Sequence, residues 1–158
     1  MSDQPRSIPK IMKIQEHQKD AAVGFAMNVR REVFPMLDPD TLPTDLLHFN
    51  EHYLHSNQST FWVAVTDQGE IVGSVGILPY DDRIAEIAGR YPEGTAVEVI
   101  KCYVDAAYRR YGIGSLLIAA LKDEMRNLPY RTLYLHTHRF LPGAVDFWKR
   151  QGFAIVAE

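Results

Sequence analysis

The sequence predicts an α/β fold organised around one mixed β-sheet. Short runs rich in β-branched and aromatic residues alternate with longer amphipathic stretches. Two of these runs, residues 60–65 and 71–78, flank a polar turn, which predicts an antiparallel hairpin. Two later runs, residues 97–104 and 132–137, are separated by a stretch of helix length, which predicts parallel pairing through a right-handed crossover. The expected element order is therefore βααββ followed by βαβαβ.

Length and composition predict one domain and exclude several classes of protein. The chain has 158 residues, enough for one hydrophobic core. We expect residues 1–9 to form a flexible tail and residues 10–158 a single domain. A net charge of -3 lacks the basic excess typical of nucleic-acid binding, and one cysteine, Cys102, excludes both an intrachain disulfide framework and a cysteine-based zinc cluster.

The chain also lacks the sequence signals of secretion and of membrane insertion. The first ten residues have no apolar core of the kind found in a secretory signal. No apolar run approaches the roughly 18 residues of a membrane-spanning helix. We therefore expect a cytoplasmic protein with no membrane or nucleic-acid partner.

The first half predicts a short strand followed by two helices. Residues 11–14 are expected to form the strand. Residues 17–34 predict a helix because apolar side chains recur at spacings of three and four, at Ala21, Ala22, Phe25, Ala26, Val29 and Val33. After a proline-rich connection, Thr44 is expected to cap a second helix over residues 45–55.

The hairpin and the segment that follows it complete this half. Gly73 and Gly76 lie inside the second hairpin strand, where glycine marks a bulge or a close contact. Residues 79–94 show no clear pattern beyond about one helical turn near Ile84 and Ile87.

The second half predicts strand, helix, strand, helix and strand. A helix over residues 112–127 should bury one apolar face, formed by Leu116, Leu117, Ala120, Leu121 and Met125. Residues 132–137 form the next strand and residues 141–150 the last helix. Gly152 is expected to end that helix, and residues 153–156 to form a final strand.

The turn before the longer helix carries the main functional signal. It contains Arg109, Arg110, Gly112 and Gly114. The first turn of a helix has N–H groups without intrahelical partners, and glycine lets an anion approach them. The turn therefore predicts a phosphate site, although glycines that only permit tight packing explain it as well. Neither the dinucleotide fingerprint nor the P-loop pattern is present.

Three motifs in order resemble the GNAT N-acetyltransferase superfamily. The pattern Arg109-x-x-Gly112-x-Gly114 resembles its acetyl-CoA motif, [QR]-x-x-G-x-[GA]. Residues 98–104, EVIKCYV, resemble its fourth strand, and residues 148–153, WKRQGF, resemble its late Y-x-x-x-G-F signature. The resemblance is detailed from about residue 96 onward. It implies a GNAT-like acyl-CoA N-acyltransferase fold and direct transfer of an acetyl group from acetyl-CoA to a primary amine.

The resemblance also implies which residues bind acetyl-CoA, the co-substrate. The pyrophosphate would lie over the amides of residues 111–115, near the two arginines. The pantetheine arm would run beside the backbone of the fourth strand. The implied cofactor-binding residues are Cys102, Tyr103, Val104, Arg109, Arg110, Tyr111, Gly112, Ile113, Gly114, Ser115 and Trp148.

Glu98 is the candidate catalytic base that would deprotonate the acceptor ammonium. Strand alternation places it on one face with Ile100, Cys102 and Val104, where burial would raise its pKa. The strand residues alone favour a glutamate that is solvated or paired with an arginine. The family resemblance adds the interpretation as a base, acting directly or through water.

No general acid is evident. Trp148 stands where the resembled family commonly has a tyrosine, and an indole cannot release a proton in this pH range. Either another residue, such as Tyr103 or Tyr134, protonates the thiolate, or the thiolate leaves unassisted. Tyr103 fits a packing role better than that of an acid.

Histidines and loop carboxylates complete the candidates. His136 and His138 share one side of a strand end, but no third ligand accompanies them, so no metal site is predicted. Substrate contact and ordinary hydrogen bonding both remain open for them. Four loop carboxylates either attract an ammonium ion or are simply solvated; they are Asp38, Asp40, Asp81 and Asp82.

The sequence therefore predicts an acetyl-CoA-dependent N-acetyltransferase acting on a small-molecule or peptide amine. One alternative is a non-catalytic acyl-CoA-binding module of the same fold, which the missing tyrosine favours. Another is an α/β protein whose glycine turn is only structural. A homodimer that covers an exposed sheet edge is also expected.

Overall fold

The computed structural model describes residues 7–137, 141 and 143–156, with the side chain of Arg110 left out. Within these residues five strands form one sheet in the order β1-β2-β3-β4-β5. The strands are β1 (Lys10–Lys13), β2 (Thr60–Val65), β3 (Ile71–Pro79), β4 (Ala96–Val104) and β5 (Thr132–Tyr134). The first three neighbouring pairs are antiparallel, and β4 and β5 are parallel. The expected mixed sheet is confirmed.

Helices lie along the chain between these strands. The α-helices are α1 (Lys19–Val33), α2 (Thr44–Leu47), α3 (Ile113–Met125) and α4 (Ala144–Arg150). Short 3-10 turns cover Glu16–Gln18, Ala85–Ile87 and Ala106–Tyr111, and one π-helical turn covers Asn50–Leu54. The second predicted helix is thus divided between α2 and the π turn. Pro43, not Thr44, occupies its N-cap, and no side chain caps it.

Two hydrophobic clusters pack on opposite faces of the sheet. The α1 cluster contains Ala22, Ala26, Leu46, Phe49, Tyr53 and Phe61, from α1, α2, the π turn and the residue before it, and β2. The α3 cluster contains Val75, Ile77, Val97, Val99 and the buried face of α3. That face consists of Ile113, Leu117, Ile118 and Leu121. Leu116, expected among the buried residues, is 42% exposed.

The two glycines of β3 lie where neighbouring elements approach closely. A Cβ on Gly73 would lie 3.0 Å from the Ile113 side chain in α3, and one on Gly76 would lie 2.9 Å from the Phe61 ring. The register between β3 and β4 also shifts between Ser74 and Gly76. Both expectations for glycine in this strand are therefore confirmed.

β4 contains a bulge that reverses the facing of its side chains. Lys101 has a φ of 53° and interrupts the regular register. Before the bulge Ile100 packs with the α1 cluster, whereas after it Cys102 and Val104 pack with the α3 cluster. The expectation that Glu98 shares a face with Cys102 and Val104 is therefore wrong, because one inserted residue switches the alternation.

The end of the chain departs from the expected order. β5 is three residues long, and residues 153–156 form no strand although one was expected there. The Phe153 ring instead turns back onto Trp148, with ring centroids 5.2 Å apart. Gly152 has a φ of 93° just after α4, as expected for a glycine that ends a helix.

Candidate functional site

A cleft opens where β4 and β5 separate. Within the described residues the two strands pair over Ala96–Glu98 and Thr132–Tyr134, and β4 then continues to Val104 paired with β3 but not with β5. The resulting cleft has a volume of about 650 Å³, within the range typical of small-molecule sites. Its walls come from α1, β4, the start of α3, the residues after β5, and α4. The cleft lies at the carboxyl end of the parallel pair, where such sheets place ligands.

One end of the cleft is the N-terminus of α3. Gly112 precedes the helix with a φ of 69°, in the left-handed region that favours glycine. A Cβ there would meet no atom within 4 Å. The amides of Ile113, Gly114 and Ser115 belong to the first turn and have no acceptor within the helix. This end can therefore receive an anion at close range.

Arginine side chains supply positive charge to this end. Arg109 and Arg150 both line the cleft, the first from the turn before α3 and the second from α4. Ser115 also lines it, and its hydroxyl oxygen accepts a hydrogen bond of 2.9 Å from the Gln151 amide. Arg150 was not among the sequence candidates, although Trp148 of the same helix was.

Gly114 has a different role from that of Gly112. A Cβ at Gly114 would lie 3.0 Å from the Phe147 ring of α4. The absence of a side chain therefore lets α3 and α4 approach each other, which is the tight-packing alternative for this glycine. Of the two glycines in the motif, one opens the anion-facing surface and the other allows helix packing.

The middle of the cleft is the free length of β4. Cys102, Tyr103 and Val104, which the family resemblance implied as cofactor-binding residues, line it. Burial raises the pKa of the Cys102 thiol to about 12, so it is not a thiolate near neutral pH. Burial, together with the charge of Asp45, raises the pKa of Tyr103 to about 12 as well. These side chains contribute shape and packing rather than acid–base chemistry.

Glu98 also lines the cleft, but its carboxylate is bound to an arginine. Arg83 donates from Nη1 and Nη2 to the two carboxylate oxygens, each at 2.6 Å. The Glu98 side chain is 8% exposed and that of Arg83 is 48% exposed. Nη1 of Arg83 also donates to Asp81 at 3.1 Å. The hydrogen bond to Glu98 is the main cause of the raised pKa of Arg83.

Three tyrosines pack near this ion pair. The ring of Tyr134 lies 4.8 Å from that of Tyr80 and 6.4 Å from that of Tyr91. Burial raises the pKa of Tyr134, and the negative charge of Glu98 contributes. Tyr134 pairs with Glu98 in the β4–β5 register. The segment after β3 therefore places two tyrosine rings against Tyr134, the β5 neighbour of Glu98.

Trp148 stands between two cavities. It lines the main cleft and also a second cavity of about 450 Å³ on the other side of the residues that follow β5. The two cavities also share Leu135, His136 and Thr137. Its ring packs against Phe147 and Phe153, which fixes the indole within an aromatic cluster.

The structure brings most of the candidate site residues into one cleft. Those that line it are Glu98, Cys102, Tyr103, Val104, Arg109, Gly112, Gly114, Ser115 and Trp148. Ile113 is fully buried in the α3 cluster, so only its backbone can serve a ligand. The Tyr111 ring packs against Tyr108. The Arg110 side chain and His138 lie outside the described parts of the chain.

Sequence reasoning missed the α1 wall of the cleft. Val29 and Val33 line it, and so does Lys101. The helical spacing of the valines indicated only that they face the core. No local signal shows that a helix distant in sequence ends against β4, because that contact depends on the whole sheet.

The loop carboxylates are engaged within the fold. Asp38 accepts a hydrogen bond of 2.6 Å from the Thr41 hydroxyl, which is the main cause of its lowered pKa. Asp81 accepts from Arg83, and both oxygens of Asp82 accept from the Gly89 amide at 3.1 Å. For these three residues the geometry fits loop stabilisation.

The chain belongs to the acetyltransferase (GNAT) family, whose model matches residues 23–153. Human N-acetyltransferase 8 is 29% identical over 113 residues, which cover 72% of this chain and 46% of that protein. The uncharacterized N-acetyltransferase YjgM of Escherichia coli is 29% identical over 93 residues, covering 59% of this chain and 50% of that protein. The chain thus spans about half the length of these relatives.

Solved structures share the fold. A GNAT-family acetyltransferase from Staphylococcus aureus has a TM-score of 0.74 at 24% identity, covering 94% of this chain and 86% of that one. AAC(6')-Iy in complex with the bisubstrate analog CoA-S-monomethyl-acetylneamine has a TM-score of 0.73 at 18% identity, covering 96% and 95%. No helix in the described ranges is long and apolar enough to cross a membrane.

Proposed function

We propose that this protein transfers the acetyl group of acetyl-CoA directly to a primary amine. The observation that carries the proposal is the cleft between β4 and β5, which joins the N-terminus of α3 to the buried carboxylate of Glu98. Membership of the GNAT family supports this chemistry, and so does the CoA-containing analog in one structural neighbour.

The residues at the α3 end fit a CoA pyrophosphate. The open approach above Gly112 would bring phosphate oxygens to the first-turn amides, with Arg109 and Arg150 neutralising their charge. The free edge of β4 would take the pantetheine arm through backbone groups near Cys102 to Val104. Acetyl-CoA, when bound there, supplies an acetyl thioester that an amine can attack.

We propose that Glu98 removes the proton from the acceptor ammonium. Its carboxylate must first be released, since Arg83 occupies both oxygens. Asp81 offers Arg83 a second partner at 3.1 Å, so a small rotation can transfer the guanidinium from one carboxylate to the other. The Arg83 side chain is 48% exposed and has room for this movement.

The leaving thiolate would depart without a strong general acid from the protein. Tyr103 lines the cleft, but its pKa of about 12 makes it a poor proton donor near neutral pH. Its hydroxyl can still donate a hydrogen bond. Trp148 can donate only a hydrogen bond from its indole nitrogen.

The acceptor would enter from the α1 side of the cleft. Val29, Val33 and Phe34 form an apolar wall there, beyond Glu98 and Tyr103. The segments at residues 34–45 and 79–94 would complete the acceptor pocket. The cytoplasmic location and a homodimer remain proposals that come from the sequence.

A non-catalytic acyl-CoA-binding module is the second candidate. The bidentate Arg83–Glu98 pair favours it, because both carboxylate oxygens already accept hydrogen bonds from the guanidinium and are not free to receive a proton from an acceptor ammonium. Such a module would bind acetyl-CoA in the same cleft and release no CoA in the presence of any amine.

Calorimetric titration with acetyl-CoA, followed by an assay of CoA release over a panel of primary amines, tests the proposal. Binding at one site per chain together with amine-dependent CoA release supports the enzyme. Binding without release supports the module, and no binding at high concentration contradicts both.

The role of Glu98 has its own test. We expect Glu98→Gln to reduce turnover most at low pH, where the amine is protonated and needs a base, and to leave acetyl-CoA affinity nearly unchanged. Glu93→Gln is the matched control, because Glu93 is exposed on the neighbouring loop. A Glu98→Gln protein as active as this control would remove Glu98 from the mechanism.

A further inference from the structure

A largely buried ion pair connects β4 to α2 beside the cleft. The Lys101 Nζ atom lies 3.4 Å from a carboxylate oxygen of Asp45, and the two side chains are 16% and 11% exposed. The other Asp45 oxygen accepts a hydrogen bond of 2.7 Å from the Tyr53 hydroxyl. Tyr53 is itself only 2% exposed. Asp45 is thus held from two sides and gives Lys101 a fixed partner.

Lys101 is also the residue at which β4 departs from regular strand geometry. Its φ of 53° lies in the left-handed region, which is unfavourable for a lysine. The Ser74 hydroxyl of β3 donates a hydrogen bond of 2.7 Å to its carbonyl oxygen. Strained backbone of this kind persists only where surrounding contacts stabilise it. The contacts here are the Ser74 hydrogen bond and the ion pair.

The bulge determines the shape of the cleft. It lies just beyond Glu98, the last β4 residue that pairs with β5, and it sets the facing of Cys102 and Tyr103. If Lys101 relaxed to an extended conformation, the residues after it would change faces. The part of β4 proposed to take the pantetheine arm would then present different groups to the ligand.

We propose that Lys101 is a positioning residue for acetyl-CoA, and that its ion pair with Asp45 holds the left-handed bulge that shapes the β4 wall. This inference rests on the proposed function for its ligand, but the conformational part can be measured without one. The assigned role belongs to the side chain, because the bulge places a charged amine against α2 instead of leaving it in solvent.

Two substitutions of Lys101 distinguish this positioning role from ordinary packing. Lys101→Met keeps the hydrocarbon length and the unfavourable φ but loses the ion pair. Lys101→Gly also loses the pair, yet glycine adopts the left-handed conformation without strain. We expect CoA affinity to fall by about tenfold in Lys101→Met, on the scale of one strained residue relaxing, and by less than about threefold in Lys101→Gly.

The partner residue gives a second comparison. Asp45→Asn should resemble Lys101→Met, because Lys101 then keeps its strain without its ionic partner. In the double variant Lys101→Gly and Asp45→Asn, CoA affinity should return towards that of Lys101→Gly. A packing role predicts the opposite order, with the glycine variant weaker than the methionine variant because it removes more contact.

The Lys13–Glu124 pair provides the control. Its N–O distance is 3.0 Å, and neither residue lines the cleft. Lys13→Met therefore removes a Lys–carboxylate ion pair away from the cleft, although Lys13 is more exposed than Lys101, and it should leave CoA affinity unchanged. A loss equal to that of Lys101→Met would show a general effect of removing a lysine and would overturn the proposal.

Amide hydrogen exchange in the ligand-free protein tests the bulge directly. Exchange at residues 100–103 should be faster in Lys101→Met and Asp45→Asn than in the unsubstituted protein. In Lys101→Gly the exchange rate should be close to that of the unsubstituted protein. Equal exchange in all four proteins would contradict the inference even if CoA binds. If the protein binds no CoA but shows this exchange pattern, the proposed function fails, whereas the conformational role of the pair stands.

Discussion

At the residue scale, Gly112 and Gly114 show that one motif can combine two physical requirements. Gly112 has a φ of 69° and open space where a Cβ would lie. At Gly114 the neighbouring helix α4 lies close, since an added Cβ would be 3.0 Å from the Phe147 ring. A side chain at Gly112 should therefore obstruct a ligand, whereas one at Gly114 should obstruct the fold.

We predict that Gly112→Leu weakens CoA binding by more than about tenfold, because its side chain occupies the approach to the α3 amides. Its cost in folding stability should be about 1–2 kcal/mol, the strain of a left-handed non-glycine residue. Calorimetry and thermal unfolding measure the two effects. Gly114→Val is the comparison and should lower the unfolding temperature more. Unchanged CoA affinity in Gly112→Leu would contradict the phosphate-site assignment.

The Arg83–Glu98 pair predicts an asymmetric response to substitution. Arg83→Gln leaves a carboxylate that is only 8% exposed without its cation, whereas Glu98→Gln leaves a half-exposed arginine that still has Asp81. We expect Arg83→Gln to destabilise the protein by about 2–3 kcal/mol and Glu98→Gln by about 1 kcal/mol, since an unpaired buried charge costs most. Urea unfolding measures both, with Arg90→Gln as a control on the same loop. Equal losses would show that Glu98 is better solvated than its burial indicates.

Sequence reasoning reached the residue types of the site but not their partners. Glu98 was a candidate base, and a glutamate paired with an arginine was already the alternative. That Arg83 would be the partner had no local signal, because it lies fifteen positions earlier in a segment with no clear pattern. Pairing of this kind depends on how a loop folds over the sheet.

At the element scale, replacing glycine by alanine should change the free energy of unfolding in opposite directions in α1 and in β3. Gly24 lies in α1 with no atom within 4 Å of its missing Cβ, whereas Gly73 and Gly76 have atoms at 3.0 Å and 2.9 Å. Gly24→Ala should stabilise the protein by about 0.5–1 kcal/mol through helix propensity. Gly73→Ala and Gly76→Ala should each destabilise it by about 1–3 kcal/mol through overpacking. Urea unfolding of the three variants checks the signs, and a destabilising Gly24→Ala would contradict the account of α1.

The β4 bulge shows where pattern-based prediction fails for an element. The run from Val97 to Val104 predicts a strand, and β4 is that strand. Strict alternation then assigns every side chain to a face, but Lys101 adds one residue and reverses the assignment beyond it. The sequence shows no glycine at the bulge, because an ion pair and a hydrogen bond stabilise the conformation instead.

At the scale of the whole molecule, the order of elements followed from the sequence up to the last helix. Hydrophobic periodicity and turn residues determine that order, and both are local. The prediction of a last strand over residues 153–156 is wrong, because a strand forms only where a sheet edge is available to pair with it. β5 is only three residues long, and residues 153–156 form no ladder with it. Where the edge of a sheet ends is a property of the assembled fold.

Two partly buried groups on opposite faces of the sheet, Cys102 and Tyr103, make the stability of the whole molecule sensitive to alkaline pH. The folded pKa of Cys102 and that of Tyr103 are each about 12, above ordinary values of about 8.5 and 10. The unfolded chain therefore releases these protons at a lower pH than the folded protein does. The contribution of these two groups to the free energy of unfolding is fully present below about pH 8.5. It falls as the pH rises towards 12, by up to about 1.4 kcal/mol per pH unit for each group.

Cys102 should dominate the first part of this loss, because an unfolded thiol ionises before an unfolded tyrosine. We predict that the free energy of unfolding declines between about pH 8.5 and 10, and that Cys102→Ala makes this decline shallower. Urea unfolding at pH 8, 9 and 10 measures the slope in both proteins. The comparison cancels other groups that titrate in the same range, since they are common to both. An equal slope in the two proteins would contradict the prediction. It would mean that the thiol of Cys102 ionises as freely in the folded protein as in the unfolded chain, because water reaches it from the cleft.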